Sequence, residues 1–511
     1  MTTDAAWPRR ADAAEGASAR EPGPRGEVVA LVLAGFCFGG GQQVLLREFA
    51  GLLYGEEVVL LLVATAALAA ASLGYRLGGR LGPRALAALL LACGALQLLS
   101  PGLPRLAVAG LCRLRGGSGP ELLAVLGVCA FVAAAPFAAL LPALLVRQVE
   151  PHARLAALRR TYTAELLGFG LGTAAATALG DRPGLRLGLH ALGLVGLVHV
   201  ALGRPRWTLA FAGAAALLCA VRGPLAQAGA DAVYRHKHRI PGATVLWSVD
   251  SAHQRVEVVQ APGRGMMLYL DGLRDLDERD LAVLNHYLAR APARLLRPAR
   301  ALLLGNGTLS LVPELAALSG ELLTVEIDPA VVDAGARFFT PAAPLAKLRN
   351  WGLIAADGKA FLAATDQDFD MIAVDLPSPL TLGEAYLHTR EFYALCRSRL
   401  RPGGVLAVQL SGGLGDPGRT PARLIAGLRA AFDDVAVVDS ALADRAFAYA
   451  SDALPFDEAD LRASAAPGER GLTVLRGPAL AARIGDAQPL TLDDLDLVLR
   501  RGAERLRDRH F

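Results

Sequence analysis

The amino-terminal half of the chain is a series of long apolar stretches that are interrupted by Arg, Gly and Pro. Seven stretches stand out, at residues 28–48, 57–76, 85–103, 121–146, 162–180, 185–203 and 207–222. Each is close to the ~20 residues that a helix needs to cross ~30 Å of hydrocarbon. Most lack the polar face that a soluble helix repeats every 3.6 residues. The pattern predicts an all-α transmembrane bundle of about seven helices over residues 27–222, with one more or fewer possible around 100–112 and with the lipid bilayer as a partner.

After Arg222 the pattern changes to short apolar runs separated by amphipathic segments. Residues 244–271 alternate apolar and polar positions around a turn at Pro262-Gly263, which predicts a small antiparallel β module over 240–275. Further runs occur at Ala301–Leu304, Leu322–Ile327, Leu353–Ala356, Phe369–Asp375, Gly404–Leu410, Val435–Asp439 and Phe447–Ala450. Helical segments between these runs predict an α/β domain over 276–460, with a mostly parallel sheet covered on both faces.

The two ends of the chain differ from these regions. Residues 1–26 are rich in Ala, Gly, Pro and Arg, and we expect them to form a disordered tail. Residues 461–511 are expected to form a carboxy-terminal helical extension.

Composition narrows the function classes. The chain has 511 residues, of which 53% are apolar and 20% are charged, with a net charge of +4. So small a net charge argues against a dedicated nucleic-acid binder, which would have a concentrated basic face, and we expect no nucleic-acid partner. The six cysteines show no metal-ligand spacing, so no metal site is expected. Arginines flank the apolar stretches on both sides, and the positive-inside rule does not decide the orientation.

Residues that follow the predicted strands are the candidates for chemistry, because open parallel sheets bind ligands outside the carboxyl ends of their strands. A turn with Gly305 and Gly307 follows the first strand and opens the next helix, where the backbone could approach a ligand or simply turn. Glu326 ends the second strand, where a carboxylate can bind ribose hydroxyls. Asp328 then caps the next helix.

Two further strand ends carry acidic residues. Asp357-Gly358 follows the third strand, where the carboxylate could bind an amino group of a base or cap a helix. Asp375 ends the fourth strand before a proline loop that includes Ser378, and it could hold or deprotonate an amine. The loop residues could equally serve the turn alone. Together, the four strand ends predict a nucleoside-binding site.

Several motifs resemble the polyamine aminopropyltransferase (spermidine synthase) family. They are HQRV at 253–256, LYLDG at 268–272, VEIDP at 325–329, DLPSP at 375–379, LHTREFY at 387–393 and RPGGVLAVQ at 401–409. The stretch GFCFGGGQQVLLREF at 35–49 is similar to the first span of a variant fused behind a multi-span region.

The resemblance implies a methyltransferase-like (Rossmann-like) fold and an aminopropyl transfer from decarboxylated S-adenosylmethionine, a co-substrate, to a small-molecule amine. Methylthioadenosine leaves, and no permanently bound cofactor is needed. An adenosyl donor implies a cytoplasmic catalytic domain in a multi-pass protein of the cell membrane. A homodimer is one assembly that the resemblance allows.

The resemblance also implies roles for individual residues. Asp375 would be the catalytic aspartate. The nucleoside would be held by Gln254, Gly305, Gly307, Glu326, Asp357 and Gly358. On the amine side, Thr308 and Ser378 stand where the family has aspartates, and Leu284-Asn285-His286 replaces a Tyr-His-Glu triplet. Thr308, Ser378 and Asn285 are therefore weak amine-side candidates.

The loss of these carboxylates disfavours a polyamine acceptor, because a desolvated polycation would lack partners. Two alternatives stay open at this point. The chain could be a non-catalytic nucleoside-binding module coupled to the membrane bundle, or a methyltransferase that uses S-adenosylmethionine.

Overall fold

The computed structural model describes residues 24–53, 56–100, 102–117, 119–148, 154–180, 182–203, 205–379, 381–415, 419–494, 496 and 498. Its amino-terminal region is helical, with α1 (Pro24–Leu53), α2 (Glu56–Gly78), α3 (Pro83–Leu99), α4 (Gly102–Arg115), α5 (Gly119–Gln148), α6 (Arg154–Ala178), α7 (Pro183–Leu202) and α8 (Pro205–His236). Helix α1 takes in the last three residues of the predicted tail, so that boundary was wrong. Residues 1–23 of the tail lie outside the described residues.

The described part of the chain has fewer continuous helices that could cross a membrane than the seven predicted stretches. Within the described residues, five are long and apolar enough: α1, α2, α5, α7 and α8. The bent pair α3–α4 passes as a sixth, with an angle of 77°. Residues 85–103 do not form one continuous helix, since α3 ends before Ser100 and the next residue is a proline, which disfavours helical backbone at Ser100. Residues 162–180 do fall in α6, but that helix is rich in Gly and Thr and carries Glu165.

Helices α1 and α6 pack with their backbones in contact. A Cβ atom placed on Gly35 of α1 would lie 2.1 Å from the carbonyl oxygen of Glu165, and one on Gly168 of α6 would lie 2.1 Å from that of Val32. Gly39 and Gly172 repeat the arrangement one turn further along. Small residues spaced four apart on facing helices allow this approach, and any larger side chain would force the helices apart.

A four-stranded antiparallel sheet follows the helices, which confirms the small β module. Its strands are β1 (Thr244–Asp250), β2 (Arg255–Ala261), β3 (Gly265–Leu270) and β4 (Leu273–Asp277), and they pair in chain order. The turn between β2 and β3 lies at the predicted Pro262-Gly263. The module extends two residues beyond the predicted end at 275, because β4 adds a further strand.

The second sheet has eight strands in the order β12-β10-β11-β9-β8-β5-β6-β7. Its strands are β5 (Arg300–Gly305), β6 (Glu321–Glu326), β7 (Trp351–Ala355), β8 (Phe369–Asp375), β9 (Leu400–Gln409), β10 (Asp434–Ser440), β11 (Arg445–Ser451) and β12 (Thr473–Arg476). The five strands from β9 to β7 are parallel, and β11, β10 and β12 extend the sheet in antiparallel pairing. The carboxy-terminal extension is thus not purely helical, because β12 joins this sheet. Residues 499–511 lie outside the described part of the chain.

Short helices cover this sheet. They are α9 (Leu281–Asn285), which continues through a π-helical turn (His286–Arg290) into α10 (Ala291–Leu296), then α11 (Val312–Leu318), α12 (Pro329–Ala334), α13 (Ala342–Leu345), α14 (Gly358–Ala364), α15 (Leu382–Ala385), α16 (Arg390–Ser398), α17 (Thr420–Ala431), α18 (Glu458–Ala463) and α19 (Gly477–Ile484). The central strands are buried on both faces, as in Ala301–Leu304 and Met371–Val374. This burial confirms the Rossmann-like α/β prediction.

A buried ion-pair network joins the helical region to the β module. The Glu48 carboxylate of α1 accepts hydrogen bonds from Arg105 of α4 at 3.1 Å and from Nη1 of Arg255 of β2 at 2.7 Å. Arg105 also reaches Glu257 at 3.0 Å. Asp250 of β1 lies 2.6 Å from Arg255 and 3.1 Å from Arg186 of α7.

Next to this network, the β3–β4 turn rests directly on α1. A Cβ atom placed on Gly272 would lie 2.0 Å from the carbonyl oxygen of Gly51. Gly272 also has φ +76°, a conformation that L side chains rarely adopt. The turn therefore requires glycine for two separate reasons, its own backbone and its contact with α1.

We expect Gly272→Ala to lower the thermal unfolding midpoint of the full chain in nanodiscs more than Gly263→Ala does. Gly263 has φ +72° with nothing within 4 Å of an added Cβ, so its replacement costs only the strained backbone, about 1–2 kcal/mol. Gly272→Ala adds a clash that must separate the turn from α1, and its midpoint shift should be at least twice as large. Equal shifts would show that the contact with Gly51 contributes nothing.

Candidate functional site

A cavity of about 360 Å³ lies at the carboxyl ends of the parallel strands. It opens at the ends of the neighbouring strands β5 and β8. The chain continues from β5 to β6 on one side and from β8 to β9 on the other, and parallel sheets bind ligands at such a point. Its lining includes Gln254, Asn285, Gly305, Gly307, Thr308, Glu326, Asp357 and Asp375 from the sequence prediction. Gly358 and Ser378 do not line this cavity.

The glycine turn after β5 lies against the end of β8. Gly305 pairs with Asp375 in the sheet register and has φ +79°. A Cβ atom on Gly305 would lie 2.2 Å from the carbonyl oxygen of Asp375, and one on Gly307 would lie 2.5 Å from Val331. The turn does not open a helix directly, because α11 begins only at Val312. Glycine is needed here for close packing against the end of β8 and against Val331 in the first turn of α12.

Asp375 is the carboxylate at the centre of the cavity. Nδ2 of Asn306 donates a hydrogen bond to Oδ2 of Asp375 at 2.7 Å. Oδ1 of Asn306 accepts a hydrogen bond from the Leu311 amide at 3.0 Å, which fixes the orientation of the side-chain amide. Burial raises the pKa of Asp375, while Asn306 and the charge of Arg445 oppose that rise. The sequence prediction did not include Asn306, although it lies between the two predicted glycines.

The Glu326 carboxylate lies on the side predicted to hold the nucleoside. Its Oε1 accepts the Asp328 amide at 2.8 Å, and burial raises its pKa to about 7. Asp328 caps α12 by accepting the Ala330 amide at 3.0 Å, as predicted.

Gln254 is held against this same cap residue. Its Nε2 donates to Oδ2 of Asp328 at 3.1 Å, and the Ser251 hydroxyl donates to the same oxygen at 2.8 Å. Gln254 and Glu326 are thereby brought to one wall of the cavity through Asp328.

Asp357 both lines the cavity and caps a helix. Its Oδ1 accepts the Ala360 amide of α14 at 2.6 Å. Gly358, the first residue of α14, packs on Leu304, where an added Cβ would make an ordinary contact at 3.5 Å. The structure thus supports the capping interpretation of Asp357 and leaves its second carboxylate oxygen for a ligand.

Neutral polar groups form the side predicted to face the amine. Asn285 donates to the Ser310 carbonyl oxygen at 2.9 Å, and the Ser310 hydroxyl contacts Oδ1 of Asn285 at 3.3 Å. The hydroxyl of Thr308 lies 3.4 Å from that of Ser310. His286, the neighbour of Asn285, turns away from the cavity and contacts the Ser464 carbonyl oxygen at 2.7 Å.

The cavity also contains charged residues that the sequence prediction missed. Asp275 comes from β4, Glu384 from α15 and Arg445 from β11. Burial raises the pKa of Asp275 to about 7, and the charge of Asp375 adds to this effect while Arg445 opposes it. Arg445 is held by a hydrogen bond to Oε1 of Gln409. These side chains meet the predicted site only through the tertiary fold, so no local motif marks them.

His388 supports the loop after Asp375 from behind. Its Nε2 lies 2.8 Å from the Pro377 carbonyl oxygen, which can only accept, so this nitrogen carries the proton. Burial lowers the pKa of His388 to about 4, so the ring is neutral near pH 7. His388 therefore positions the loop without adding charge to the site.

Part of the chain is similar to known proteins of one family. Residues 283–412 match the model of the spermine/spermidine synthase domain. The chain is 32% identical over 176 residues to a spermidine synthase from Coffea arabica, a match that covers 34% of this chain and 55% of that protein. It is 29% identical over 198 residues to a polyamine aminopropyltransferase from Thermoplasma volcanium, over 38% and 71% of the two chains.

A solved spermidine synthase in complex with the transition-state analogue AdoDATO also matches, with 21% identity and a TM-score of 0.39 over 43% of this chain and 78% of that one. The chain spans little more than half of the Coffea relative's length. On the sequence matches, residues 283–412 carry a spermine/spermidine synthase domain, and the resemblance of this chain to the polyamine aminopropyltransferase family is confirmed.

Proposed function

We propose that the chain is a membrane-anchored aminopropyltransferase that uses decarboxylated S-adenosylmethionine and an amine acceptor. The observation that carries the proposal is the placement of Asp375, oriented by Asn306, at the sheet crevice of the spermine/spermidine synthase domain. In the proposed complex, Gln254, Glu326 and Asp357 bind the nucleoside.

In the proposed reaction the Asp375 carboxylate first takes one proton from the bound ammonium group, which frees the electron pair on nitrogen. The nitrogen then forms a bond to the aminopropyl carbon next to the sulfonium, the carbon–sulfur bond breaks, and its electron pair stays on sulfur in methylthioadenosine. Because Asn306 already occupies Oδ2 of Asp375, Oδ1 is the oxygen that would receive this proton. The glycine turn would bring the two substrates close together, which is a large part of catalysis between bound molecules.

The charges of the cavity favour an acceptor with few positive charges. The amine side carries the neutral groups of Asn285, Thr308 and Ser310, and Arg445 would repel a second ammonium. Asp275 and Glu384 both bring carboxylates beside Asp375, but Oε2 of Glu384 already accepts the Thr381 amide at 2.9 Å. Asp275 is therefore the carboxylate proposed to attract an ammonium group.

The membrane part of the proposal rests on the apolar helices. In the part of the chain that the structure describes, five helices, or six with the bent pair, are long and apolar enough to span a bilayer. The ion-pair network around Glu48 would lie where these helices meet the β module. Because the adenosyl donor is cytoplasmic, we place the catalytic domain on the cytoplasmic side. A homodimer stays a prediction.

We expect Asp375→Asn to lower the rate of methylthioadenosine release by about 10²–10⁴-fold, because the amide cannot accept the amine proton. The measurement is turnover of decarboxylated S-adenosylmethionine with a panel of amines by the full chain in nanodiscs. Asp368→Asn is the matched control, since Asp368 is exposed just before β8 and outside the cavity; it should keep full activity.

Three results would contradict the proposal. One is methylthioadenosine binding without turnover for any amine, which would indicate a binding module. Another is turnover with S-adenosylmethionine but not with the decarboxylated donor, which would indicate a methyltransferase. The third is equal activity of Asp375→Asn and the native chain.

We also predict that kcat/KM for the amine rises with pH around an apparent pKa of about 7 when the donor is saturating. Asp275, whose pKa is raised to about 7, is neutral below this pH and negatively charged above it. Its charged form attracts the ammonium group, so affinity increases as pH rises. Asp275→Asn should remove the inflection near pH 7.

Saturating donor separates this effect from Glu326, whose pKa is also about 7 and whose titration should appear in KM for the donor. The Asp368→Asn chain should keep the inflection. An unchanged pH profile in Asp275→Asn would show that Asp275 does not act on the amine.

A further inference from the structure

A second cavity, of about 510 Å³, lies between the helical region and the candidate site. It shares four lining residues with the site cavity, namely His253, Gln254, Asp271 and Gly383. The two cavities therefore adjoin at the β module. Its other wall comes from the end of α1 and the start of α2, so it connects the candidate site with the apolar helices.

The side chains on the helical wall are mainly apolar. Leu46 and Ala50 come from α1, and Val59 and Leu60 come from α2. Leu60 is 60% exposed although it lines this cavity, which places it at the rim. Helix α2 is one of the apolar helices, with only 22% of its most apolar window buried. The cavity thus opens beside a surface suited to hydrocarbon.

The charged groups in the wall are bonded to the protein. Arg47 donates to the Ser251 carbonyl oxygen at 2.7 Å, and Glu57 accepts the Leu382 amide at 3.0 Å. Asp250 is paired with Arg255. Asp271, where the two cavities meet, accepts the Arg255 amide at 2.8 Å. A highly charged ligand would have to compete for these bonded groups, whereas a hydrocarbon chain could follow the leucine, valine and alanine surface of the helical wall.

We infer that the acceptor is a membrane-soluble primary amine with one alkyl chain. Its nitrogen reaches Asp375 and Asp275 while the chain leaves through the second cavity, past Leu60, to the lipid. This inference rests on the proposed function and names its acceptor class. It joins two observations: a site in which Arg445 opposes a second ammonium, and a cavity that adjoins this site at His253 and Asp271 and has an apolar wall toward α1 and α2.

The test uses the full chain in nanodiscs with decarboxylated S-adenosylmethionine and a series of 1-aminoalkanes from butylamine to dodecylamine, with putrescine for comparison. We expect kcat/KM for methylthioadenosine release to rise at least tenfold from butylamine to dodecylamine, since each buried methylene favours binding by about fourfold at most. Putrescine should be the poorest acceptor. Dodecyltrimethylammonium, which has the chain but no proton to lose, should compete with dodecylamine.

The matched variants are Leu60→Gln and Leu61→Gln. Leu61 is 70% exposed on the same helix and does not line the cavity. Leu60→Gln should reduce the ratio of dodecylamine to butylamine kcat/KM at least fivefold, and Leu61→Gln should leave it unchanged. Turnover of butylamine by both variants shows that they are folded.

The outcomes separate the two proposals. Turnover of putrescine or butylamine as efficient as that of dodecylamine would overturn the acceptor class and leave the transferase standing. Equal ratios in the Leu60 and Leu61 variants would overturn the path. Absence of methylthioadenosine with every amine would remove the proposed function, and this inference with it.

Discussion

The Glu48 carboxylate holds the helical region and the β module in their relative positions. It is buried between the guanidinium groups of Arg105 and Arg255, one from the helical region and one from the β module. A buried charge is tolerated only when it is paired and hydrogen-bonded. Loss of one partner would leave the other uncompensated, at a cost of about 3–5 kcal/mol. The network therefore fixes the position of β2 relative to α1 and α4.

The position of β2 affects the candidate site because Arg255, the first residue of β2, directly follows Gln254. Burial disfavours the charged form of Arg255, but Glu48 and Asp250 outweigh it and hold its pKa well above the ordinary value. The Arg255 amide donates to Asp271 at 2.8 Å, which ties β2 to the β3–β4 turn. Gln254 then reaches Asp328, the cap of α12. Arg255, Gln254 and Asp328 thus link α1 to the wall that carries Glu326.

The sequence predicted the cavity residues that lie at strand ends. It did not predict those that come to the cavity from distant parts of the chain. Glu326, Asp357 and Asp375 could be predicted because parallel strands bring their carboxyl ends to one edge. Asp275 and Arg445 could not, since they reach the cavity from the antiparallel module and from the antiparallel edge of the sheet. Ser378 and Gly358 follow the right strands but do not line the cavity, because position after a strand does not fix where a residue faces.

On the amine side, the missing aspartates alone did not predict the charge of the cavity. Thr308 and Asn285 are neutral, yet Asp275 brings a carboxylate to the same cavity from another element. Arg445 opposes the raised pKa of both Asp275 and Asp375, so it favours their ionised forms while it repels further cations. Glu384 adds a carboxylate whose Oε2 accepts the Thr381 amide, so under the proposal the balance of Asp275, Asp375 and Arg445 favours one ammonium over several. In the proposed enzyme, that balance would place acceptor specificity in the contact between the β module and the sheet, and the strand-end motifs would serve the donor.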